Sequence, residues 1–190
     1  IFQTTSDSEV ILHLLAHPDF DDHEEPWLPA LNRLEGAFCY VALDGERMVA
    51  ARDRHGYRPL CLGKMDGAWM VASESCAFDM IGAEYVDVVR PGEVIIIEGG
   101  ELRRQSFVEG KEADSNLAHC VFEHVYFARP DSTIFGQNVH TARLEMGKQL
   151  AREHPVDADI VVAVPDSGNA AALGYSLESG LPFELGFVRN

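Results

Sequence analysis

The stretch that most constrains the fold lies near the end of the chain. Residues 160–164 form an unbroken apolar run, Pro165-Asp166-Ser167-Gly168 interrupts it, residues 169–179 have helical composition, and residues 183–188 are strand-like again. Such a run is expected of a strand buried on both faces, as in a parallel sheet. Strand, loop, helix and strand in succession make a βαβ unit, whose crossover is right-handed as a rule. The loop that leaves the carboxyl end of such a strand, just before a helix N-terminus, is where an open α/β sheet places its ligand. The free amides there favour a phosphate, and Ser167 adds a hydroxyl that can donate or meet a phosphate-bound metal. Gly168 lets the backbone come close to a ligand. An Asp/Ser cap followed by a turn glycine has the same residues, because the stretch is not a full phosphate-loop signature. Both readings stand at this level.

A helix is predicted over 141–153, ahead of the βαβ unit. Before residue 110 the pattern is different. Ser6 and Glu9 have capping-box spacing and predict a helix over 7–17. Residues 19–25 read as an acidic, solvated loop, and 27–34 as a short helix. Residues 37–43, 48–52, 69–72, 85–89, 94–97 and 102–107 are short, rich in Val, Ile and aromatics, and separated by Gly and Pro turns. They predict a meander of antiparallel strands, with a hairpin at Gly99-Gly100. Residues 110–116 are polar and weakly patterned, as in a linker. Two domains follow, 1–110 and 111–190, which suits 190 residues when a domain averages roughly 150.

Lys and Arg total 15 against 31 Asp and Glu, a formal charge of −16. That excess of negative charge excludes a protein that coats nucleic acid or sits on an anionic membrane, since both need a positive field. It leaves room for one small anion held by backbone amides. No apolar run approaches the roughly 20 residues that span a bilayer. The four cysteines, Cys39, Cys61, Cys76 and Cys120, form no C-x-x-C pair and read as reduced thiols of a cytoplasmic protein. The chain opens on Ile1 and runs out on strand-like Phe187-Val188-Arg189-Asn190, so it reads as an interior piece of a longer protein.

Three further groups could carry chemistry. Asp7, at the start of the first predicted helix, either complements the helix dipole or holds the ammonium of an amino-acid substrate. Arg52-Asp53-Arg54-His55-Gly56-Tyr57-Arg58-Pro59-Leu60 looks like an architectural turn between strands, tied by ion pairs. His119, Cys120 and His124 have no common metal-ligand spacing and read as ordinary histidines and a thiol.

Taken together, several motifs resemble one family. Thr4-Thr5-Ser6-Asp7-Ser8-Glu9, Arg52-Asp53-x-x-Gly56-x-Arg58-Pro59-Leu60, Val71-Ala72-Ser73-Glu74 and Pro91-Gly92-Glu93 follow one another in the order found in the amidophosphoribosyltransferases (glutamine phosphoribosylpyrophosphate amidotransferases). The segment from Cys120 to Ser132, then Val139-His140-x-Ala142-Arg143-x-x-x-Gly147, Val164-Pro165-Asp166-Ser167 and Phe183-x-x-Gly186-Phe187-Val188-Arg189-Asn190 continue the match. Arg54-His55 stands where Pro-Asn is frequent in that family.

The resemblance implies an α+β and α/β protein. The first part would be an incomplete N-terminal-nucleophile hydrolase αββα sandwich that releases ammonia from glutamine. The second would be the start of a type I phosphoribosyltransferase α/β domain. The family's nucleophile is an N-terminal cysteine whose α-amine acts as base, so no catalytic residue is expected within this chain. Asp7 matches the residue that binds the glutamine α-amino group. Asp166, Ser167 and Gly168 match the pyrophosphate loop for PRPP, with Ser167 at its Mg²⁺. Phe122 and Tyr126 match residues of the ammonia passage, although ordinary core aromatics would read alike. Some members hold a [4Fe–4S] cluster bound by four cysteines, and Cys120 matches its first ligand, the other three being expected beyond Asn190; a cysteine also stands there in members without a cluster. The intact enzyme is expected to be a cytoplasmic homo-oligomer. It would make 5-phosphoribosylamine from glutamine, water and PRPP under feedback by purine nucleotides. Another glutamine amidotransferase with a different acceptor domain, or a non-catalytic phosphosugar-binding module, would share part of this pattern.

Overall fold

The computed structural model describes residues 2–20, 23–108 and 117–189. They form two compact units, 1–71 with 85–119 and 72–84 with 120–190. The expected linker over 110–116 lies outside the described residues. No helix among them is long and apolar enough to cross a membrane.

The first unit begins with α1 (Glu9–Leu15), a 3₁₀ turn (Pro18–Phe20) and α2 (Trp27–Asn32). α1 is shorter than the predicted 7–17. The Glu9 carboxylate does reach back, but past Ser6, to the Gln3 and Thr4 amides at 2.6 and 2.7 Å and to the Thr4 hydroxyl. The reciprocal Ser6 bond is not made, and Ser8 occupies the N-cap without a side-chain bond.

Seven strands follow: β1 (Cys39–Asp44), β2 (Arg47–Arg52), β3 (Cys61–Met65), β4 (Ala68–Ala72), β5 (Glu84–Val88), β6 (Glu93–Glu98) and β7 (Glu101–Ser106). They do not form the predicted meander. β1-β2-β6-β7 make one antiparallel sheet, while β4-β3-β5 make a second. β6 therefore returns past three intervening strands to pair with β2, with Ala50 opposite Ile95 and Val49 opposite Ile96. The Gly99-Gly100 hairpin between β6 and β7 is present, with Glu98 opposite Glu101. β3 was hidden in the sequence because Gly63 and Lys64 break its apolar pattern.

The period of two explains why β2 and β6 are central. Val49, Ala51, Val94 and Ile96 face Ile11, Trp27, Ala30 and Leu31 of the helices. Ala50 and Ile95 face the other way, onto Leu60, Leu62 and Val89. The unit is thus layered helix, sheet, sheet.

The turn after β2 reads as architectural, as expected, and main-chain groups help to hold it. Buried Arg52 donates to the carbonyls of Arg58, Gly56 and Val89 at 2.7, 2.8 and 3.0 Å. Fully buried Asp53 accepts from the His55 and Tyr57 amides at 2.9 and 3.2 Å. Gly56 has φ +61°, and a Cβ there would stand 2.7 Å from Pro91 Cγ.

The second unit holds α3 (Cys76–Ile81), which the sequence reading missed, then a π-helical segment (Glu123–Phe127) and the short β8 (Thr133–Ile134) and β9 (Gln137–Asn138) hairpin. α4 (Val139–Glu153), β10 (Val161–Val162), α5 (Gly168–Ser179) and β11 (Phe183–Glu184) complete it. β10 and β11 run parallel, Val161 opposite Phe183, so the predicted βαβ unit is present. Its strands are only two residues each, shorter than the predicted 160–164 and 183–188. Nor is the first buried on both faces: Val161 and Val162 are half-buried and Val164 is 74% exposed. One neighbouring strand and one helix cannot cover both faces.

α4 and α5 touch backbone to backbone. A Cβ on Gly147 would fall 1.8 Å from the Ala171 carbonyl oxygen, and one on Gly174 would fall 2.0 Å from that of Leu144. Gly147→Ala is expected to destabilise the second unit by about 1–3 kcal/mol, because backbone must move to admit the methyl. Denaturant unfolding should show a lower midpoint, with a smaller effect from Gly168→Ala, where a Cβ meets open space.

Candidate functional site

The loop 165–168 hangs between β10 and α5. Because β10 and β11 are parallel, their carboxyl ends emerge at the same edge, and the chain after β11 reaches back to the loop. Arg189 Nη1 stands 3.1 Å from Asp166 Oδ2, both side chains being exposed. Ser167 is the N-cap of α5 with φ −62° and ψ −31°, and its side chain makes no cap bond. The Asn169 amide closes onto the Asp166 carbonyl at 3.2 Å. The Pro165–Asp166 peptide is cis. Gly168 faces open space, and a hollow of about 340 Å³, lined mainly by Val162, Val164, Ala171, Tyr175 and Leu181, borders it. The loop is therefore not packed shut. A free hydroxyl beside helix N-terminal amides can receive a phosphate and the metal it carries.

A second feature is built around the π-helical segment. Arg143, buried on α4, donates from Nε to the His124 carbonyl at 2.5 Å and from Nη2 to that of Ala128 at 2.8 Å. Burial pushes its guanidinium below the ordinary arginine range. Asn138 caps α4 by accepting from the Thr141 amide at 3.0 Å. Glu74 Oε2 accepts from the Arg129 amide at 2.8 Å and from fully buried Ser132 at 2.6 Å, while Ser75 Oγ accepts from the Thr133 amide at 2.9 Å. These contacts join the Val71–Glu74 motif to the Cys120–Ser132 motif, which sequence spacing alone could not show. The scaffold leaves Phe122 and Tyr126 47% and 59% exposed, their rings 5.7 Å apart. They are surface aromatics in this unit, not core. His124 points inward beside Phe135, with its Nε2 buried and unpartnered.

Cys120 is a half-buried free thiol at the start of this segment. Among the described residues no group of three or more His, Cys, Asp or Glu side chains gathers there. Cys120 offers one thiolate of the four that such a cluster takes. For Mg²⁺ the free Ser167 hydroxyl is a fitting oxygen donor, since that ion keeps most of its waters and rides on phosphate.

Asp7 lies in the turn two residues before α1, exposed; its carbonyl accepts from the Val10 amide at 3.1 Å. It is neighboured by the Glu9 cap. The Thr4 hydroxyl, then the Gln3 and Thr4 amides and His13, pull the Glu9 carboxyl from the ordinary 4.5 down to about 2. Asp7 belongs to the first unit and Phe122 and Ser167 to the second, and each is placed by its own local scaffold.

Residues 1–80 match the model of a glutamine amidotransferase domain. With that match, the helix–sheet–sheet unit is identified as the N-terminal-nucleophile hydrolase type of amidotransferase fold. Over its whole length the chain is similar to proteins named amidophosphoribosyltransferase. It is 47% identical to the Rhizobium etli protein and 43% identical to that of Bacillus subtilis, covering 100% of this chain and 38% and 39% of those proteins. A chloroplastic amidophosphoribosyltransferase of Glycine max is 43% identical. The structure of the Bacillus subtilis glutamine PRPP amidotransferase complexed with ADP and GMP superposes with TM-score 0.90 at 42% identity, covering all of this chain and 41% of that one. The chain thus spans between about a third and two-fifths of the length of these relatives.

Two outcomes follow. Arg143→Met should cost about 3 kcal/mol, since two buried carbonyls lose a charged donor; differential hydrogen exchange should place the loss in residues 123–128. Because Glu9 is depressed in the folded state, its contribution to α1 is full above pH 4.5 and disappears as pH falls toward 2. Glu9→Gln should therefore fray α1 at pH 7 and match the wild type near pH 2, as read by NMR.

Proposed function

We propose that this chain is a working part of an amidophosphoribosyltransferase. In this reading it contributes to making 5-phosphoribosylamine, glutamate and pyrophosphate from glutamine, water and PRPP, the committed step of purine synthesis. The observation that carries the reading is the open Ser167 loop on a βαβ unit, within a chain that is similar throughout its length to enzymes of that name. Residues 1–110 serve the glutaminase half and 111–190 the phosphoribosyl half.

The roles follow from the chemistry. Asp7 offers a carboxylate to the α-ammonium of glutamine; its exposed place ahead of α1 leaves the side chain available. Hydrolysis needs an N-terminal nucleophile with its own amine as base; Cys39, Cys61 and Cys76 are internal and serve no such role. Phe122 and Tyr126 give ammonia an apolar wall, which suits a neutral molecule that must not be protonated by water. At the phosphoribosyl end, the backbone of Asp166 and Gly168 and the hydroxyl of Ser167 hold the diphosphate of PRPP. Ser167 is the residue that would meet Mg²⁺, which neutralises the diphosphate as a leaving group. Amides aimed at that group favour the charge that builds on it as the anomeric carbon becomes oxocarbenium-like and ammonia attacks. Purine nucleotides act as feedback ligands; the Bacillus subtilis relative is described with ADP and GMP bound. The protein works in the cytoplasm as a homo-oligomer.

Titration of Mg²⁺-PRPP into wild type and Ser167→Ala tests the loop. Loss of the hydroxyl should weaken binding by about tenfold, the worth of one hydrogen bond to a charged group. Equal affinity would remove Ser167 from the site.

A further inference from the structure

One buried imidazole of the second unit has no part in either site. His124, on the π-helical segment, is 8% exposed, and its Nε2 is buried without a hydrogen-bond partner. Buried polar atoms are nearly always paired, so an orphan nitrogen needs a reason. Orphaned acceptors are better tolerated than orphaned N–H groups, which fits a neutral ring with a bare Nε2. The ring packs on Phe135, the centroids 5.9 Å apart. Phe135 stands at φ +48° and Gly136 at φ +78°, the left-handed pair of the two-residue turn between β8 and β9. A phenylalanine there costs at least about 1 kcal/mol of backbone strain. Its packing beside His124, Ala128, Ile134 and Val139 offsets that cost. The backbone of His124 is held as well, since its carbonyl accepts from Arg143 Nε at 2.5 Å. The charged groups brought to the segment are buried Arg143 from α4, buried Glu123 next to His124, and Glu74 from ahead of α3. Glu74 Oε2 is already taken by the Arg129 amide and the Ser132 hydroxyl. The β8–β9 hairpin meets the ring with uncharged Phe135.

We propose that His124 is a proton-operated latch, which seats the π-helical segment while neutral and releases it on taking up a proton. A proton on Nε2 makes a buried donor with no acceptor, on a residue whose carbonyl already faces a guanidinium. The charged ring is then better placed in water than against Phe135. Phe122 and Tyr126 stand two positions to either side of His124, on the exposed side of the same segment, so they move when it leaves. The two bonds from Arg143 keep the segment tethered and the change local. On the reading of Phe122 and Tyr126 as a wall for ammonia, on which this consequence rests, the passage is in order in neutral solution and disarranged in acid.

NMR of the chain between about pH 8 and about pH 5, the range in which an imidazole changes charge, tests the latch. Ring ¹⁵N shifts report the charge of His124, and side-chain signals of Phe122 and Tyr126 report the ring pair. Amide exchange, corrected for its intrinsic pH dependence, reports residues 123–128. As pH falls, the charging of His124 should share one midpoint with a shift of the Phe122 and Tyr126 signals. Protection of 123–128 should drop by up to about tenfold per pH unit, the slope for one proton taken up on opening. Exposed His140 on α4 should charge without moving the pair. His124→Phe keeps an aromatic ring beside Phe135 and cannot titrate, so its protection should stay flat. Charging of His124 with the pair unmoved, a ring that stays neutral and protected at about pH 5, or the same pH profile in His124→Phe overturns the latch. Should that variant fail to fold, the shared midpoint in the wild type decides. These readouts follow the segment and not ammonia, so their failure overturns the latch and leaves the passage reading standing. The latch holds equally if the ring pair proves to line no passage.

Discussion

The close approach of α4 and α5 is the constraint on which the second unit depends. Gly147 lies against the Ala171 backbone and Gly174 against that of Leu144, at separations where any side chain would collide. Packing at that distance fixes the axis of α5, and so fixes where its first amides open. Ser167 and Gly168 can then sit at the mouth of the loop without being buried by the crossover. The same α4 carries Arg143, whose two bonds hold the π-helical segment and hence the exposed pair Phe122 and Tyr126. One helix therefore positions both features to which function is assigned in this unit.

The first unit rests on a different device. β2 and β6 are buried on both faces because their residues alternate between the helix layer and the second sheet. Arg52 and Asp53 then end β2 by satisfying main-chain groups of the turn. A buried guanidinium spread over three carbonyls avoids the desolvation cost of an isolated charge, and Asp53 does the same for amides of the turn. That gives an Arg-Asp pair followed by glycine a structural reason to stand there.

Much of this was legible in residue order. The hairpin at Gly99-Gly100, the βαβ unit, α4 and the strand character of residues 48–52 and 94–97 follow from local period and turn chemistry. The errors share a cause. α1 is shorter than the spacing predicts because Glu9 binds Thr4 and Gln3 and not Ser6, a choice of partner that spacing does not record. β3 was missed because Gly63 and Lys64 hid its period, and α3 because six residues are too few to show one. The meander was wrong because which strands pair is a long-range matter; nothing near Val94 says that its partner is Ala51. The second-unit strand was expected to be covered on both faces, but burial depends on how many neighbours a strand finds.

Residue order alone determined the chemistry available: a serine and glycine at a helix start, a net negative charge that excludes nucleic-acid coating, and the motifs shared with the amidophosphoribosyltransferases. Those depend on residue identity and short spacing, which survive without a fold. Only the tertiary structure decided that Glu74 holds Ser132 and the Arg129 amide, that Arg143 ties down His124 and Ala128, and that Arg189 meets Asp166. Each of those contacts joins residues between 15 and 58 positions apart, and chain connectivity carries no information about which distant groups a packed core will bring within reach of a hydrogen bond.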